Sequence, residues 1–162
     1  MKTIQHVIDV TEYESSEELS KEDAALLQQA RVVTEQAYAP YSNFKVGAVA
    51  LLANGSIVSG TNQENASYPV GICAERVLLS VAASQFPGVA IHTIAVSHKS
   101  SAIENYIPAS PCGMCRQALA EQQERFNKSI RLILSGQNGR VHVIENAGDL
   151  LPFAFESSNL NS

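Results

Sequence analysis

The chain has 162 residues, of which 45% are hydrophobic, and this suits one domain with a sizeable core and no second domain. A formal net charge of −5 with only 11 Lys and Arg residues disfavours a nucleic-acid partner, because no basic stripe is available for a phosphate backbone. No basic start followed by an apolar run marks export, and no stretch is long enough to span a bilayer. We therefore expect a cytoplasmic protein with no membrane partner.

Residues 1–19 form an acidic-leaning N-terminal extension that we expect to cover an edge strand of a sheet. A short strand within it is predicted by the alternation of Ile4, His6, Ile8 and Val10 with other side chains. Ser20 and Asp23 then form a predicted capping box for a helix that runs to about residue 38. Pro40 ends that helix, because proline cannot continue it.

Strands and helices alternate in the rest of the chain. Strands over residues 46–53 and 56–61 flank Asn54-Gly55, a dipeptide typical of a type I′ hairpin. Helices are predicted over residues 73–85 and 112–126, strands near 91–97, 130–135 and 141–144, and a short helix before Pro152. This order predicts an α/β fold, a three-layer α/β/α sandwich with a mixed five-stranded sheet. It spans residues 20–156 and precedes a polar tail at 157–162.

All three cysteines fall in two short motifs, CAE at residues 73–75 and PCGMC at residues 111–115. Three thiols cannot all pair within one chain, and C-x-x-C spacing without an export signal indicates a metal or redox site. Three thiolates with a fourth position left for water are typical of catalytic zinc. In zinc deaminases, a glutamate that is not a ligand serves as the acid and base. Glu75 is the candidate for that role.

Both groups of cysteines are predicted to lie at helix N-termini, where the helix dipole favours thiolates. Three thiolates and one zinc ion sum to a charge of −1, which would make bound water a poor acid. Arg76 is the candidate for offsetting that charge beside the sulfur atoms.

Two other interpretations of the cysteines are open at this stage. The C-x-x-C pair is compatible with a thioredoxin-like redox site, and a structural zinc would need a fourth protein ligand. The four histidines do not lie at ligand spacing from the cysteines, and we expect surface positions on strands or loops for His6, His92, His98 and His142. Glu75 itself could be an exposed residue of a first helical turn.

Five ordered motifs between about residues 25 and 155 resemble the cytidine deaminases of the small, homotetrameric, three-cysteine zinc type. They are PYSNF at 40–44 with VGA at 46–48, GTNQENASYP at 60–69, GICAER at 71–76, SPCGMCRQ at 110–117 and LLPFAF at 150–155. The resemblance implies one Zn²⁺ per chain, held by Cys73, Cys112 and Cys115, with Glu75 shuttling protons. It implies hydrolysis of cytidine and 2′-deoxycytidine to uridine and 2′-deoxyuridine plus ammonia, in pyrimidine salvage.

The same resemblance implies how a nucleoside is held. Ribose hydroxyls would bind Asn62 and Glu64, Phe44 would pack on the nucleoside, and Tyr68 would lie near a neighbouring subunit's site. The base would contact three more positions: the backbone N–H of Ala74, the carbonyl of Ser110, and the Phe155 ring of a neighbouring subunit. From burial alone, Phe44 could equally be a core residue, Asn62 a turn residue at a strand end, and Phe155 a cap on its own domain.

Two further functions are compatible with the cysteine motifs. One is deamination of another cytosine compound such as blasticidin S, and the N-x-E-N-A-S-Y-P block with Phe155 favours nucleosides over it. The other is a zinc-stabilised binding module without catalysis. The presence of Glu75 disfavours this alternative, because a structural zinc site does not need a carboxylate that is not a ligand. The preference between cytidine and deoxycytidine is left open.

Overall fold

A computed structural model describes residues 1–101 and 106–160. Within these residues, six strands form a single sheet in the order β1-β6-β5-β4-β2-β3. Neighbouring strands are antiparallel except β4 and β5, which are parallel. Their bounds are Thr11–Tyr13 for β1, Phe44–Leu52 for β2, Ile57–Thr61 for β3, Ile91–Ser100 for β4, Arg131–Ser135 for β5 and Val141–Ile144 for β6.

The N-terminal extension supplies a sixth strand, which the predicted five-stranded sheet did not include. The mixed sheet is confirmed, but the count of five strands is wrong, because β1 pairs with β6 and places Thr11 opposite Val143. The strand lies after residues 4–10, where the alternating pattern had suggested it. Alternation marks a strand only where a neighbouring edge offers backbone partners, and the edge of β6 meets the chain at Thr11. The extension does cover an edge of the sheet.

Among the described residues, three α-helices cover the two faces of the sheet: α1 is Lys21–Val33, α2 is Ala74–Gln85 and α3 is Gly113–Phe126. Leu27 and Ala30 of α1 pack in a cluster with Val49 and Ile133 on one face. Helices α2 and α3 pack on the opposite face, where Leu78 and Leu119 join the residues that alternate with the first set along each strand. The three-layer sandwich is confirmed.

Helix α1 is shorter than predicted and the hairpin differs from its expected type. The α-helix ends at Val33, and a 3-10 helix at Thr34–Gln36 replaces its last predicted turn. In the hairpin, the Leu52 N–H donates to the Ser56 carbonyl and the Gly55 N–H donates to the Leu52 carbonyl, both at 2.9 Å. Gly55 has φ of 84°, whereas Asn54 has no positive φ and its side chain accepts from the Ser56 N–H. A type I′ turn needs positive φ at both central residues, so this is instead a three-residue loop closed by Gly55.

A close approach between β3 and α2 fixes the height of the first cysteine motif above the sheet. A Cβ atom on Gly60 would lie 2.5 Å from the Leu78 nitrogen and 2.6 Å from the Ala74 carbonyl oxygen. Real Cβ atoms do not approach backbone atoms so closely, so only glycine permits this packing. The start of α2 therefore lies directly against the sheet.

The C-terminal segment is mostly irregular. A 3-10 helix at Ala147–Leu150 precedes Pro152, as predicted, and another at Ser157–Asn159 opens the polar tail. Residues 161 and 162 of that tail lie outside the described residues. In the two described ranges, no helix combines the length and the apolar character needed to cross a bilayer.

Candidate metal centre and substrate pocket

The three cysteines converge at the starts of α2 and α3. Cys73 is the N-cap of α2 and Cys112 is the N-cap of α3, as the prediction of two helix N-termini required. The Sγ atoms of Cys73 and Cys112 lie 3.7 Å apart, and those of Cys112 and Cys115 lie 3.5 Å apart. All three sulfur atoms lie within 4.8 Å of one another.

These sulfur separations fit zinc. A Zn–S bond of about 2.3 Å places sulfur atoms about 3.8 Å apart at the corners of a tetrahedron, close to the separations observed here. No histidine or carboxylate joins the cluster among the described residues. A structural zinc would require a fourth protein ligand, so this donor set fits one zinc ion per chain with an open position.

The electrostatics of the cluster favour a thiolate at Cys73. A hydrogen bond from Cys115 lowers the pKa of Cys73 to about 6, against the opposing effect of burial. The same hydrogen bond, together with burial, raises the pKa of Cys115. The positive charge of Arg76 adds a smaller lowering of the Cys73 pKa, and its Nη1 lies 3.9 Å from the Met114 Sδ. Arg76 therefore lies close enough to influence the charge of the Cys73 thiol, and its role beside a bound zinc ion stays a prediction.

Glu75 is buried at the start of α2, with only 6% of its surface exposed. Desolvation by burial raises the pKa of its carboxyl group, although the backbone N–H of Glu75 and the Cys115 thiol act in the opposite direction. An ordinary first-turn glutamate would point into water and keep its usual pKa. The exposed alternative for Glu75 is therefore wrong, and the carboxyl group lies beside the metal-binding thiols.

A cavity of about 340 Å³ lies beside the 60–71 segment, and its lining includes Tyr41, Ser42, Glu64 and Tyr68. The Glu64 Oε2 accepts from the backbone N–H of Tyr41 at 2.9 Å and of Ser42 at 3.3 Å, and Oε1 accepts from the Ser42 hydroxyl. The hydrogen bond from the Ser42 hydroxyl is the largest of the effects that hold the pKa of Glu64 below its usual value. Glu64 thus presents a fixed carboxylate to the cavity.

Asn62 ties the end of β3 to the start of β2. Its Oδ1 accepts from the Val46 N–H at 2.7 Å, and its Nδ2 donates to the Phe44 carbonyl at 2.8 Å. Each amide atom keeps capacity for one more hydrogen bond, since the oxygen has two lone pairs and the nitrogen has two hydrogens. Asn62 therefore positions the backbone of Phe44, and its contact with ribose stays a prediction.

The cavity and the thiol cluster belong to one region of the fold. Gln63 and Ile72 exchange two backbone hydrogen bonds, each of 3.0 Å. Ile72 directly precedes Cys73, and Gln63 lies between Asn62 and Glu64. A short antiparallel bridge therefore fixes the predicted ribose-binding segment against the first metal ligand.

The remaining predicted contact residues lie around the same helix starts. Ala74 is buried as the first residue of α2, where a backbone N–H has no partner within the helix. Ser110 is exposed directly before Pro111 and the second cysteine motif. The Phe155 carbonyl accepts from the Gln117 side chain of α3 at 2.7 Å, yet 60% of the Phe155 surface is exposed. Phe155 therefore does not cap the core of its own chain.

Sequence reasoning missed two residues of this region, Ser42 and His98. The expectation of a surface position is wrong for His98, which is 1% exposed and stacks on Phe44 with ring centroids 5.1 Å apart. Its burial could not be predicted, because it follows from the strand register that places His98 opposite Val46. The Ser42 hydroxyl accepts from the Phe44 N–H at 3.0 Å, and its position in the PYSNF motif was the available signal.

Comparison with known proteins agrees with this geometry. The family described as the cytidine and deoxycytidylate deaminase zinc-binding region matches residues 20–128. A cytidine deaminase of Halalkalibacterium halodurans is 38% identical over 138 residues, covering 84% of this chain and 96% of the relative. A cytidine deaminase of Mycobacterium tuberculosis is 37% identical over 124 residues, covering 76% and 82% of the two chains.

A solved structure has the same fold. The crystal structure of cytidine deaminase from Burkholderia pseudomallei superimposes with a TM-score of 0.71 at 40% identity, covering 85% of this chain and all of that one. An α/β/α sandwich with three thiols at two helix starts defines a zinc-binding deaminase domain. The chain belongs to the cytidine and deoxycytidylate deaminase family.

Proposed function

We propose that the protein catalyses the zinc-dependent hydrolytic deamination of cytidine and 2′-deoxycytidine, giving uridine and 2′-deoxyuridine plus ammonia. The observation that carries the proposal is the buried carboxyl group of Glu75 beside three thiols with zinc-compatible separations. A structural zinc module would have no use for a buried carboxyl group at this point. Burial of such a group costs stability, and that cost is characteristic of functional sites.

Cys73, Cys112 and Cys115 would hold the zinc ion. A bound zinc ion would supply a Lewis acid that activates a water molecule for attack on C4 of the pyrimidine. Glu75 accepts one proton of the attacking water and transfers it to ring N3. It then carries the second proton, from the hydroxyl group formed on C4, to the departing amine, which leaves as ammonia. Its raised pKa suits this task, because a carboxyl group that both accepts and releases protons works best near the operating pH.

Backbone groups at the two helix starts orient the base. The Ala74 N–H points from the first turn of α2 and donates to the O2 atom of the base, and the Ser110 carbonyl accepts from the amino group. The helix dipole of α2 also favours an electron-rich atom at this point. Burial of Ala74 supports its role, because a donor screened from water discriminates more strongly.

Ammonia release from cytidine, deoxycytidine, CMP and blasticidin S tests the proposal directly. We expect turnover of both nucleosides and little turnover of CMP or blasticidin S. Turnover of blasticidin S alone would assign another cytosine compound as the substrate. A zinc-loaded protein that releases ammonia from none of the four would contradict the proposal.

The carboxylate of Glu64 is proposed to exclude nucleotides, because its fixed negative charge would repel a phosphate group on the ribose. Glu64→Gln keeps the size of the side chain, and its amide oxygen can still accept from the Tyr41 and Ser42 N–H groups. We expect a higher KM for cytidine and a CMP/cytidine ratio of kcat/KM that rises about tenfold, the effect of roughly 1.4 kcal/mol. Steady-state kinetics on both substrates measure this ratio, and an unchanged ratio would show that Glu64 does not face the sugar.

We further propose a homotetramer with active sites shared between subunits. Two aromatic side chains that the proposal assigns to the nucleoside site are largely exposed in the single chain, Phe155 at 60% and Tyr68 at 74%. The Gln117 side chain anchors the Phe155 backbone on α3, so this part of the C-terminal segment is held against the domain. A closed assembly with dihedral symmetry would cover these rings.

Hybrid oligomers test the shared site. Phe155→Ala chains and Glu75→Gln chains are mixed after reversible dissociation, and activity is compared with that of each parent. If Phe155 acts on a neighbouring subunit, equal mixing restores both residues in up to about one quarter of the sites, since each is drawn independently. Activity no higher than the mean of the parents, despite proven subunit exchange, would assign Phe155 to its own chain.

The cellular setting that we propose is pyrimidine salvage in the cytoplasm. Thiols that act as metal ligands support a reducing compartment, because oxidising compartments favour their conversion to disulfides. The net charge of −5 supports a small-molecule substrate rather than a nucleic acid.

A further inference from the structure

His98 contacts two segments that the sequence motifs had not connected. Its ring lies nearly parallel to that of Phe44, with an interplanar angle of 16° and centroids 5.1 Å apart. Its Nε2 lies 2.8 Å from the backbone carbonyl oxygen of Ile107. Because a carbonyl oxygen only accepts, Nε2 carries the hydrogen, and Nδ1 is the atom with the lone pair.

The burial of this imidazole has a cost. His98 is 1% exposed, and its Nδ1 has no hydrogen-bond partner within the described residues. An unpartnered acceptor in a buried position lowers stability, whereas a phenyl ring would stack on Phe44 without leaving such an atom. What the imidazole offers and a phenyl ring lacks is the Nε2–H donor to Ile107.

Both neighbours of His98 lead to the proposed nucleoside site from different directions. The family resemblance implies that Phe44 packs on the nucleoside, and Asn62 and Ser42 hold its backbone. Ile107 lies three residues before Ser110, in the segment that enters the second cysteine motif. One side chain therefore connects Phe44 with the segment that leads into the second cysteine motif.

We infer that His98 is a positioning residue that holds the Phe44 ring and the segment from Ile107 to Ser110 at a fixed separation. This inference rests on the proposed function, because it assigns the two segments to opposite sides of the nucleoside. His98 acts through Phe44 and Ile107 and itself takes no proton from the substrate. Its loss should weaken nucleoside binding and leave the proton transfers of Glu75 intact.

Two variants separate the two contacts. His98→Phe keeps a ring against Phe44 and loses the donor to Ile107, and His98→Gln keeps an amide donor and loses the ring. Each should raise the KM for cytidine about 3- to 10-fold, the effect of one hydrogen bond or one aromatic pair, with kcat within about twofold of wild type. His92→Gln is the matched control, because it changes an exposed histidine of the same strand and should leave KM unchanged.

Stability and KM should move independently in His98→Phe. His98→Phe removes the unpartnered Nδ1, and the carbonyl of the exposed Ile107 can accept a hydrogen bond from water instead. The melting temperature of this variant should therefore equal or exceed that of wild type, while its KM rises. A purely structural role for His98 would instead give a lower melting temperature with an unchanged KM. Bound zinc should stay at one per chain in every variant.

The route through Phe44 is tested by a double-mutant cycle. In a Phe44→Leu background, His98→Gln should raise KM little further, because its stacking partner is already gone, whereas His98→Phe should keep its own effect. Independent, multiplicative effects of Phe44→Leu and His98→Gln would overturn the inference. So would His98 variants with wild-type KM.

A measurement on the unsubstituted protein does not depend on the folding of His98 variants. With ¹⁵N-labelled histidines, saturation with uridine should shift the His98 ring resonance and leave that of His92 in place. Assignment uses variants that replace the other three histidines: His6→Gln, His92→Gln and His142→Gln. An unmoved His98 resonance in uridine-saturated protein would overturn the inference, whereas a wild-type protein without deaminase activity or uridine binding would instead refute the proposed function.

Discussion

Glu75→Gln is expected to lower kcat for cytidine by about 10²- to 10⁴-fold, the usual contribution of general acid and base catalysis. The amide keeps the shape of the buried side chain but cannot accept and release a proton. Zinc content should stay at one per chain, because Glu75 is not a ligand. Steady-state ammonia release and metal analysis of the same preparation measure the two quantities together.

The chain offers a matched control for Glu75. Glu22 is the second residue of α1, as Glu75 is of α2, and both are first-turn acidic residues. Glu22 is exposed, so Glu22→Gln changes the interaction with the helix dipole alone and should leave kcat unaltered. Retention of near wild-type turnover by Glu75→Gln would mean that its carboxyl group does not shuttle protons.

Cys112→Ala is expected to abolish zinc binding and lower the soluble yield at the same time. Two thiolates with two water-filled corners bind zinc far more weakly than three thiolates with one, and the loss of bound metal is also a loss of folding free energy. Bound zinc should fall from one per chain to near zero, with a lower melting temperature and no measurable deamination. Metal analysis, thermal melting and ammonia release check the three effects.

The control for Cys112→Ala is a substitution of the neighbouring sulfur-containing residue, Met114. Met114 lies between Cys112 and Cys115 in sequence, is 61% exposed and is outside the cluster of three sulfur atoms that could hold a metal. Met114→Leu preserves its size and should keep zinc and fold. Equal zinc loss in both variants would show that the loop conformation, rather than the thiolate of Cys112, governs metal binding. Full activity in metal-free wild type would contradict the zinc assignment itself.

Local patterns predicted most of the elements that carry the site. The apolar helical spacing after Cys73, and Pro111 before the C-x-x-C pair, predicted Cys73 and Cys112 at two helix starts, and the structure has them there as N-caps. This succeeded because spacing within one helical turn is a local property. The predicted type of the turn at Asn54-Gly55 was wrong, because the Asn54 side chain accepts a hydrogen bond from the Ser56 N–H and favours a longer loop.

Long-range pairing was beyond the reach of those patterns. The sixth strand exists only because the edge of β6 lies beside Thr11, and alternation at residues 4–10 cannot report where an edge lies. The stacking of His98 on Phe44 likewise needs the register that aligns β4 with β2. Registers are set by the packing of the whole sheet against its helices, so no window of sequence contains them.

The sequence by itself predicted the candidate ligand set, the candidate acid and base, and the three-layer architecture, because residue type and short spacing carry that information. Only the tertiary structure decided that the thiols of Cys73 and Cys112, 39 positions apart, lie 3.7 Å from each other. It also decided that Glu75 is buried and Phe155 is exposed. Burial depends on which surfaces meet when the layers pack, and that is a property of the assembled fold rather than of any segment.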